Sequence, residues 1–503
     1  MNSFYYFEKV EKWGLQEIIC PGNTMGNPFT DFWIRGIFKS ESQTVTVNGF
    51  YDGYGIYKVR FMPSFEEDYT FIIMGNFMTE LYHGSFTVLP PAPDNHGPVK
   101  VVDTYHFAYE DGTPYYSIGT TCYAWTHQPV HLQEKTLETL KNSAFNKIRF
   151  CVFPKHYDYN LNEPVTYPYQ GVPCDSSVLT TENFMEYNGA APGNEWDFSR
   201  FNPRHFQLFE QRIMDLMHLG IEADIIIMHP YDRWGFSEMN AEQDDLYWNY
   251  VIARFSAFRN VWWSLANEYD VMAKKDTADW ERYAAILCEK DPYNHLRSIH
   301  NCIAFYDYSR PWITHCSIQR QDVYKTAEYV DEWRERYKKP IILDEIAYEG
   351  NIQHGWGNIS GRELVRRFWE ATCRGGYAGH GETYMNSDNC LWWSHGGVLH
   401  GESPERFKFL QKILEQTPGI GLKPVKAGWD EVAAEGGPGY YIYYYGFNRP
   451  SFRQYYFDDT NEYRVELIDT WEMKIQEKGV HKGKFRIDMP GKEYMAIRIR
   501  IVG

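Results

Sequence analysis

Between about residue 97 and residue 416, short apolar runs alternate with longer amphipathic stretches, and no other feature of the sequence narrows the fold so far. Such alternation is the pattern of repeated βα units, in which helices cover a parallel sheet. The candidate strands are YYSIGTTCYAW, NKIRFCVF, EADIIIMHP, VWWSLANE, LRSIHNC, WITHCSIQ, PIILDEIAY and GHGETY. Helix-like stretches such as PRHFQLFEQRIMDLMHLG and TADWERYAAILCEKD lie between them. The first carries apolar residues at 206, 209, 213, 216, 217 and 219 and stops at Gly220. Eight strands over some 320 residues predict an α/β chain built on a (β/α)8 TIM barrel with long loops, rather than an open sheet. No GxGxxG or Walker-type loop opens the first helix, which counts against a nucleotide-binding fold.

The flanks read differently. Residues 1–92 hold FWIRGIFKS, QTVTVNGFYDG, GIYKVRFMPSF, DYTFIIMG and LYHGSFTVL, partly alternating and broken by Gly, Asp-Gly and Pro, which predicts an N-terminal β-sandwich. Pro90, Pro91 and Pro93 end it, since proline stiffens a linker and withholds ladder hydrogen bonds. The barrel is expected over 97–416. Residues 420–503 return to strand chemistry in GYYIYYYGF, RQYYFD, EYRVELIDTWE, GKFRIDM and EYMAIRIRIVG, a C-terminal β-sandwich. Met495, Ile497, Ile499 and Ile501 would form one face of a half-buried last strand, and the tyrosines of 440–445 read as sheet packing rather than a carbohydrate platform.

Composition removes several function classes. Hydrophobic residues are 43% and charged residues 23%, so disorder is excluded. A net charge of −17 argues against nucleic acid, whose phosphates call for clustered Lys and Arg. No run of eighteen or more apolar residues occurs, so no membrane span is expected. The start, MNSFYYFEKVEKWG, lacks a basic region followed by an apolar one, which predicts no secretory leader. Nine cysteines (20, 122, 151, 174, 288, 302, 316, 373 and 390) without a CxxC pair read as reduced thiols, and with the missing leader predict a cytoplasmic protein. The sequon Asn358-Ile-Ser360 carries no weight. Aromatic residues reach 17%, and their flat faces suit sugars.

Two of the barrel strands end in acids. The fourth runs out as Ser264-Leu265-Ala266-Asn267-Glu268, the seventh as Ile342-Leu343-Asp344-Glu345. Function on this fold collects at the C-terminal strand ends, and an unpaired buried carboxylate is costly, so such placement has a reason. Two carboxyls converging across a barrel mouth are what glycosidic cleavage requires: one protonated to help the leaving oxygen depart, the other ionised to attack or to activate water. Mutual repulsion and burial push their pKa values apart and assign the roles. A structural ion pair with a barrel Arg is the plain alternative for Glu268, and Asp344 is the rival to Glu345, since neighbours on a strand face opposite ways.

WWSLANEYD resembles the Asn-Glu motif ending strand four of clan A glycoside hydrolases, and IILDEIAYEG resembles their strand-seven nucleophile. The resemblance implies Glu268 as acid/base, Glu345 as nucleophile in preference to Asp344, and Asn267 as donor to the sugar hydroxyl beside the anomeric carbon. Asp344 would then be satisfied behind the strand. Arg149, ending strand two, sits where the clan places an Arg that orients the nucleophile. More narrowly, Gly55-Ile56-Tyr57-Lys58-Val59-Arg60-Phe61-Met62-Pro63 and GTTCYAWTH resemble bacterial glycosidase-like proteins with an immunoglobulin-like N-terminal domain, an apiosidase-like barrel and a β C-terminal domain.

His229, His300, His315 and Gln319 are candidate sugar-hydroxyl partners, against the plain reading of hydrogen-bonded barrel residues. Trp392 and Trp393 are candidates for the stacking floor, with one of them as core; Trp125 and His127 could line the same pocket. Glu382 reads as a site carboxylate or a buried helper. With His380 it lacks the third clustered ligand that a catalytic metal needs, so no metal or cofactor is expected. No GxSxG elbow is present to support an acyl-transfer hydrolase. The expectation is a retaining glycoside hydrolase acting on a carbohydrate substrate, removing a terminal sugar from plant-derived oligosaccharides or glycosides. Endo action, transglycosylation, a non-catalytic carbohydrate binder and a homo-oligomer stay open.

Overall fold

The computed structural model describes residues 4–177, 189–320, 322, 324–386 and 391–502. Eight parallel strands form its centre: Ile118–Thr121, Lys147–Cys151, Glu222–Met228, Val261–Ala266, Arg297–Ser298, Cys316–Gln319, Ile341–Glu345 and Tyr377–His380, numbered here as barrel strands one to eight. They pair in the order five-four-three-two-one-eight-seven-six, and a parallel bridge from His300 to Ser317 joins strands five and six to complete the barrel. Most of these strand residues are buried, as continuous apolar runs require when helices cover the outer face.

Helices Val130–Lys141, Pro203–His218, Ala241–Phe255 and Thr277–Lys290 follow strands one to four; Val330–Tyr337, Gly361–Cys373 and Ser403–Leu414 follow strands six to eight. Their starts are written in the sequence. Asn202 caps the second, ahead of Pro203, by accepting from the amide of Arg204, and capping boxes at Asn240/Gln243 and Asp276/Asp279 start the next two. The second helix buries Phe206, Phe209, Ile213 and Leu216, the face its spacing predicts. Strands five and six are joined without a helix.

A small antiparallel sheet, Val99–Val102, His106–Tyr109 and Pro114–Tyr115, closes the N-terminal end of the barrel. Phe107 and Tyr115 pack there against Trp262, Ile342 and Tyr377. Above them the barrel interior is charged rather than apolar. Lys147 Nζ lies 2.8 Å from Asp224 Oδ2 and 2.7 Å from Asp344 Oδ1. Gly119 makes room for this lysine, since a Cβ there would stand 3.1 Å from Lys147 Cε. Gly379 likewise lets strand eight pass strand seven, where a Cβ would meet the Asp344 carbonyl oxygen at 2.7 Å.

Both flanks are strand-rich and antiparallel except where Lys9–Glu11 runs parallel to Tyr82–Leu89. N-terminally, a five-stranded sheet (Lys9–Glu11, Tyr82–Leu89, Asp68–Gly75, Ile34–Lys39, Thr44–Asn48) faces a three-stranded one (Gln16–Pro21, Ile56–Phe61, Phe50–Gly53) over Ile18, Phe38, Val59, Phe61 and Phe71. C-terminally, a six-stranded sheet is centred on Met495–Ile501. That last strand departs from the expectation of one buried face. Met495, Ile497 and Ile499 face the two-stranded sheet of Phe452–Tyr456 and Lys484–Asp488, whereas Ala496 packs into the barrel core; Ile501 is exposed. Tyr440 and Tyr444 join the barrel core, with Tyr444 stacked on Trp369. The eight described cysteines are free thiols, and Cys390 lies outside the described residues. Among the described residues no helix is long and apolar enough to cross a membrane.

Candidate active site

A cavity of about 290 Å³ opens at the C-terminal end of the barrel. Glu268, after strand four, and Glu345, ending strand seven, both line it, although they are only 6% and 4% exposed. Glu268 leaves its strand at φ +52°, a left-handed conformation that a non-glycine residue adopts at a cost of about 1–3 kcal/mol. Backbone strain held at a strand end is characteristic of functional positions.

Each carboxylate has its own set of donors. Tyr231 hydroxyl donates to Glu268 Oε2, and Gln319 Nε2 donates to Oε1 at 3.1 Å. Glu345 Oε1 accepts from Tyr123 hydroxyl, with His300 Nε2 at 3.4 Å and Arg149 Nη1 at 3.9 Å. The Tyr348 hydroxyl also stands beside this carboxylate. The same Tyr123 oxygen lies 2.9 Å from Asn267 Oδ1, and Arg149 Nη2 reaches that carbonyl at 3.5 Å, which leaves the Asn267 NH2 for a ligand.

The electrostatics separate the pair. Burial and the Glu345 charge raise the Glu268 carboxyl above its ordinary value, against the pull of Lys155 and of the Tyr231 hydrogen bond. Burial also works to raise Glu345, but His300, Arg149 and Tyr123 overcome it and hold that carboxyl below its ordinary value. Asp344 is not behind the strand, as the sequence led one to expect, but inside the barrel beneath the cavity. There it accepts from Lys147 and from Ser317 Oγ at 2.6 Å. Burial would raise it as well; Lys147 and Arg149 outweigh that and keep it ionised far into acid.

The remaining expected residues divide sharply. Asn267, Gln319 and Trp393 line the cavity; Arg149 and His300 stand directly behind Glu345. Trp392 is core, its indole N–H donating to Thr120 Oγ1 at 2.8 Å. Trp125 is sealed against Phe150, and His127 binds the Cys151 carbonyl at 3.0 Å while stacking on His205. His229 is spent on the Phe153 carbonyl at 3.1 Å. His315 belongs to the opposite end of the barrel, against Phe107 and Trp262. These four side chains are buried away from the cavity, because a residue near a strand end reaches the mouth only if its parity and height both allow it. Glu382 is no cavity residue either: it accepts from the amide of Gly401 at 2.8 Å and from that of His400 at the approach to the last barrel helix. His380 is stacked on Phe145. Among the described residues no His, Cys, Asp or Glu cluster could hold a metal ion.

The loops supply what the motifs did not indicate. Tyr123 follows strand one, Lys155 and Tyr157 follow strand two, Tyr231 follows strand three, and Trp356 follows strand seven; all line the cavity, with Asp158 and His354 at its exposed rim. The aromatic surplus of the sequence was a signal for such a lining, though not for its positions.

A (β/α)8 barrel with two acids of opposed proton affinity on one aromatic-walled cavity is the form of a glycoside hydrolase, and the comparisons give that class. Residues 102–434 match the apiosidase-like catalytic domain, so the chain belongs to that family; two domains of unknown function match beside it, DUF5060 over 9–75 and DUF5605 over 429–500. A crystal structure of a candidate glycoside hydrolase from Bacteroides vulgatus is 36% identical, covers 99% of this chain and 100% of its own, and superposes with a TM-score of 0.92. A second solved structure, named a glycoside hydrolase, shares the fold at 17% identity and a TM-score of 0.58, covering 82% of this chain and 98% of its own. No curated protein matches the chain.

Proposed function

We propose that the protein is a retaining glycoside hydrolase that removes a terminal sugar from an oligosaccharide or glycoside. One observation carries the reading: Glu268 and Glu345 share one cavity while their surroundings drive their proton affinities in opposite directions. Glu345 attacks the anomeric carbon while Glu268 delivers its proton to the leaving oxygen. The covalent glycosyl–enzyme is then hydrolysed by a water that Glu268 deprotonates, which restores both groups. Asn267 offers its NH2 to the hydroxyl beside the anomeric carbon, and Arg149 with His300 keeps Glu345 ionised. Trp393 and Trp356 supply faces for the sugar ring. Burial of the catalytic end beneath a rim of exposed residues supports removal of a terminal unit over cleavage along a cleft.

The test is turnover of a panel of aryl α- and β-glycosides, with the first-formed product anomer read by NMR. Retention is expected, and Glu345→Ala and Glu268→Gln should each cost at least about 10³-fold in kcat while the melting temperature is held. Inversion, or near-normal turnover in either variant, would overturn the proposal.

A further inference from the structure

Every other large buried cation near the site has a carboxylate: Lys147 has Asp224 and Asp344, and Arg149 lies within 4 Å of Asp224, Asp344 and Glu345. Lys155 has none. It is 2% exposed, lines the cavity, and its Nζ neither hydrogen-bonds nor ion-pairs with any described residue. What surrounds it is aromatic. The ammonium stands 3.5 Å from the ring centroid of Tyr123, 4.2 Å from Tyr231, 4.4 Å from Tyr157 and 5.3 Å from Trp393. Ring faces shelter a cation by their quadrupole but give its N–H groups no directional oxygen acceptor. A charge taken out of water this way is costly until an anion meets it.

We propose that Lys155 makes this a site for acidic sugars, its ammonium taking the carboxylate of a hexuronic acid whose glycosidic bond is the one cleaved. The inference rests on the reading of the cavity as the sugar site and names its substrate class. The cavity's own acids do not fill the role: Glu345 is held by Tyr123, His300 and Arg149, and Glu268 by Tyr231 and Gln319. A neutral hydroxyl would satisfy one N–H and leave the charge unmatched, whereas a carboxylate satisfies both through a charge-assisted hydrogen bond. Position agrees with this. The ammonium rests on the ring of Tyr123, and the hydroxyl of that ring donates to Glu345. Carboxylate site and nucleophile are therefore one tyrosine apart, which places the acid group and the anomeric carbon on the same sugar ring.

The test compares sugars that differ only at C6. Calorimetric titration of the full chain with D-glucuronate against D-glucose, and D-galacturonate against D-galactose, should show at least one acid binding about tenfold to a hundredfold more tightly than its neutral partner. Added NaCl should weaken that binding and not the neutral one. In Lys155→Met the acid-to-neutral ratio should fall to near one, and in Lys155→Arg it should largely persist. Should Lys155→Met fail to fold, Lys155→Gln and the salt dependence of the unaltered protein decide. Equal binding of acid and neutral sugars, no saturable acid binding at millimolar concentration, or a preference that survives loss of the ammonium would each overturn the inference. The hydrolase reading fails separately: Lys155-dependent acid binding without turnover of any glycoside, acidic or neutral, would sink that reading, whereas turnover of neutral glycosides with no acid preference, or with no turnover of hexuronides, would sink this one alone.

Discussion

At the scale of single residues, the hydroxyl of Tyr123 links the nucleophile to its neighbour, because it donates to Glu345 and lies 2.9 Å from Asn267 Oδ1. A donor to the ionised carboxylate favours ionisation, so its removal raises the Glu345 pKa. Tyr123→Phe should therefore move the acidic limb of the kcat/KM–pH profile to higher pH and lower the plateau by about tenfold or more; an unmoved limb would show that the hydroxyl does not tune this carboxylate. That carboxyls close strands four and seven was legible in the sequence because each follows an apolar run; the preference for Glu345 over Asp344, which ends the same run, came from the family resemblance alone. Tyr123 was not legible, nor were Lys155 and Tyr231, since loop residues carry no period from which direction can be read. The same limit misplaced Trp125 and His229: the sequence put them near the right strand ends, but contacts with Phe150 and with the Phe153 carbonyl turned them into the core.

Elements were the most legible level. Seven of the eight barrel strands lie within the segments their apolar runs marked, and the eighth, Tyr377–His380, starts two residues ahead of its GHGETY segment, because strands buried on both faces need continuous apolar sequence and loops do not. The plug of Val99–Tyr115 escaped notice, since short hairpin strands mimic the start of the first barrel strand. That plug has an electrostatic consequence. Glu222 opens strand three, accepts from the Trp262 indole at 2.9 Å, and burial pushes its carboxyl up to about 8. A carboxyl raised on folding contributes stability that is complete below its ordinary pKa and is lost as pH rises through the folded value. Between roughly pH 4.5 and 8, then, the protein should lose up to about 4–5 kcal/mol from this group, seen as a falling melting temperature. Glu222→Gln keeps an acceptor without the charge and should flatten that slope; a variant as pH-sensitive as the parent would refute the assignment to Glu222.

For the whole molecule, the question is what fixes the N-terminal sheets to the barrel, and Arg60 answers it. This arginine lies in the VRF segment by which the N-terminal module was first recognisable; it pairs with Glu17 inside that module at 2.8 Å, yet its partners on the barrel are 150 and more residues away. It donates to Glu210 Oε2 at 2.9 Å and to the Arg254 carbonyl at 2.8 Å, while Arg254 reaches back to Asp52 at 2.6 Å. Burial works to raise the Glu210 carboxyl, and Arg60 with Arg254 overrides it, leaving it at about 2. A carboxyl depressed on folding contributes stability that is present above its ordinary pKa and lost as pH falls through the folded value, so the junction should loosen between about pH 4.5 and 2. Sequence could mark Arg60 as part of a motif but not find Glu210, because a contact between modules leaves no local pattern in either. Arg60→Met leaves Glu210 to Arg254 alone and Glu17 to Lys58 alone, and denaturant unfolding should register a loss of about 1.5–3 kcal/mol. Because those charges lie between modules, the loss should appear first in the N-terminal sheets, as a separate early transition, while activity at the distant cavity persists up to the barrel's own unfolding. A single transition with unchanged midpoint would mean that apolar contacts alone, such as Phe29 against Tyr250, hold the two together.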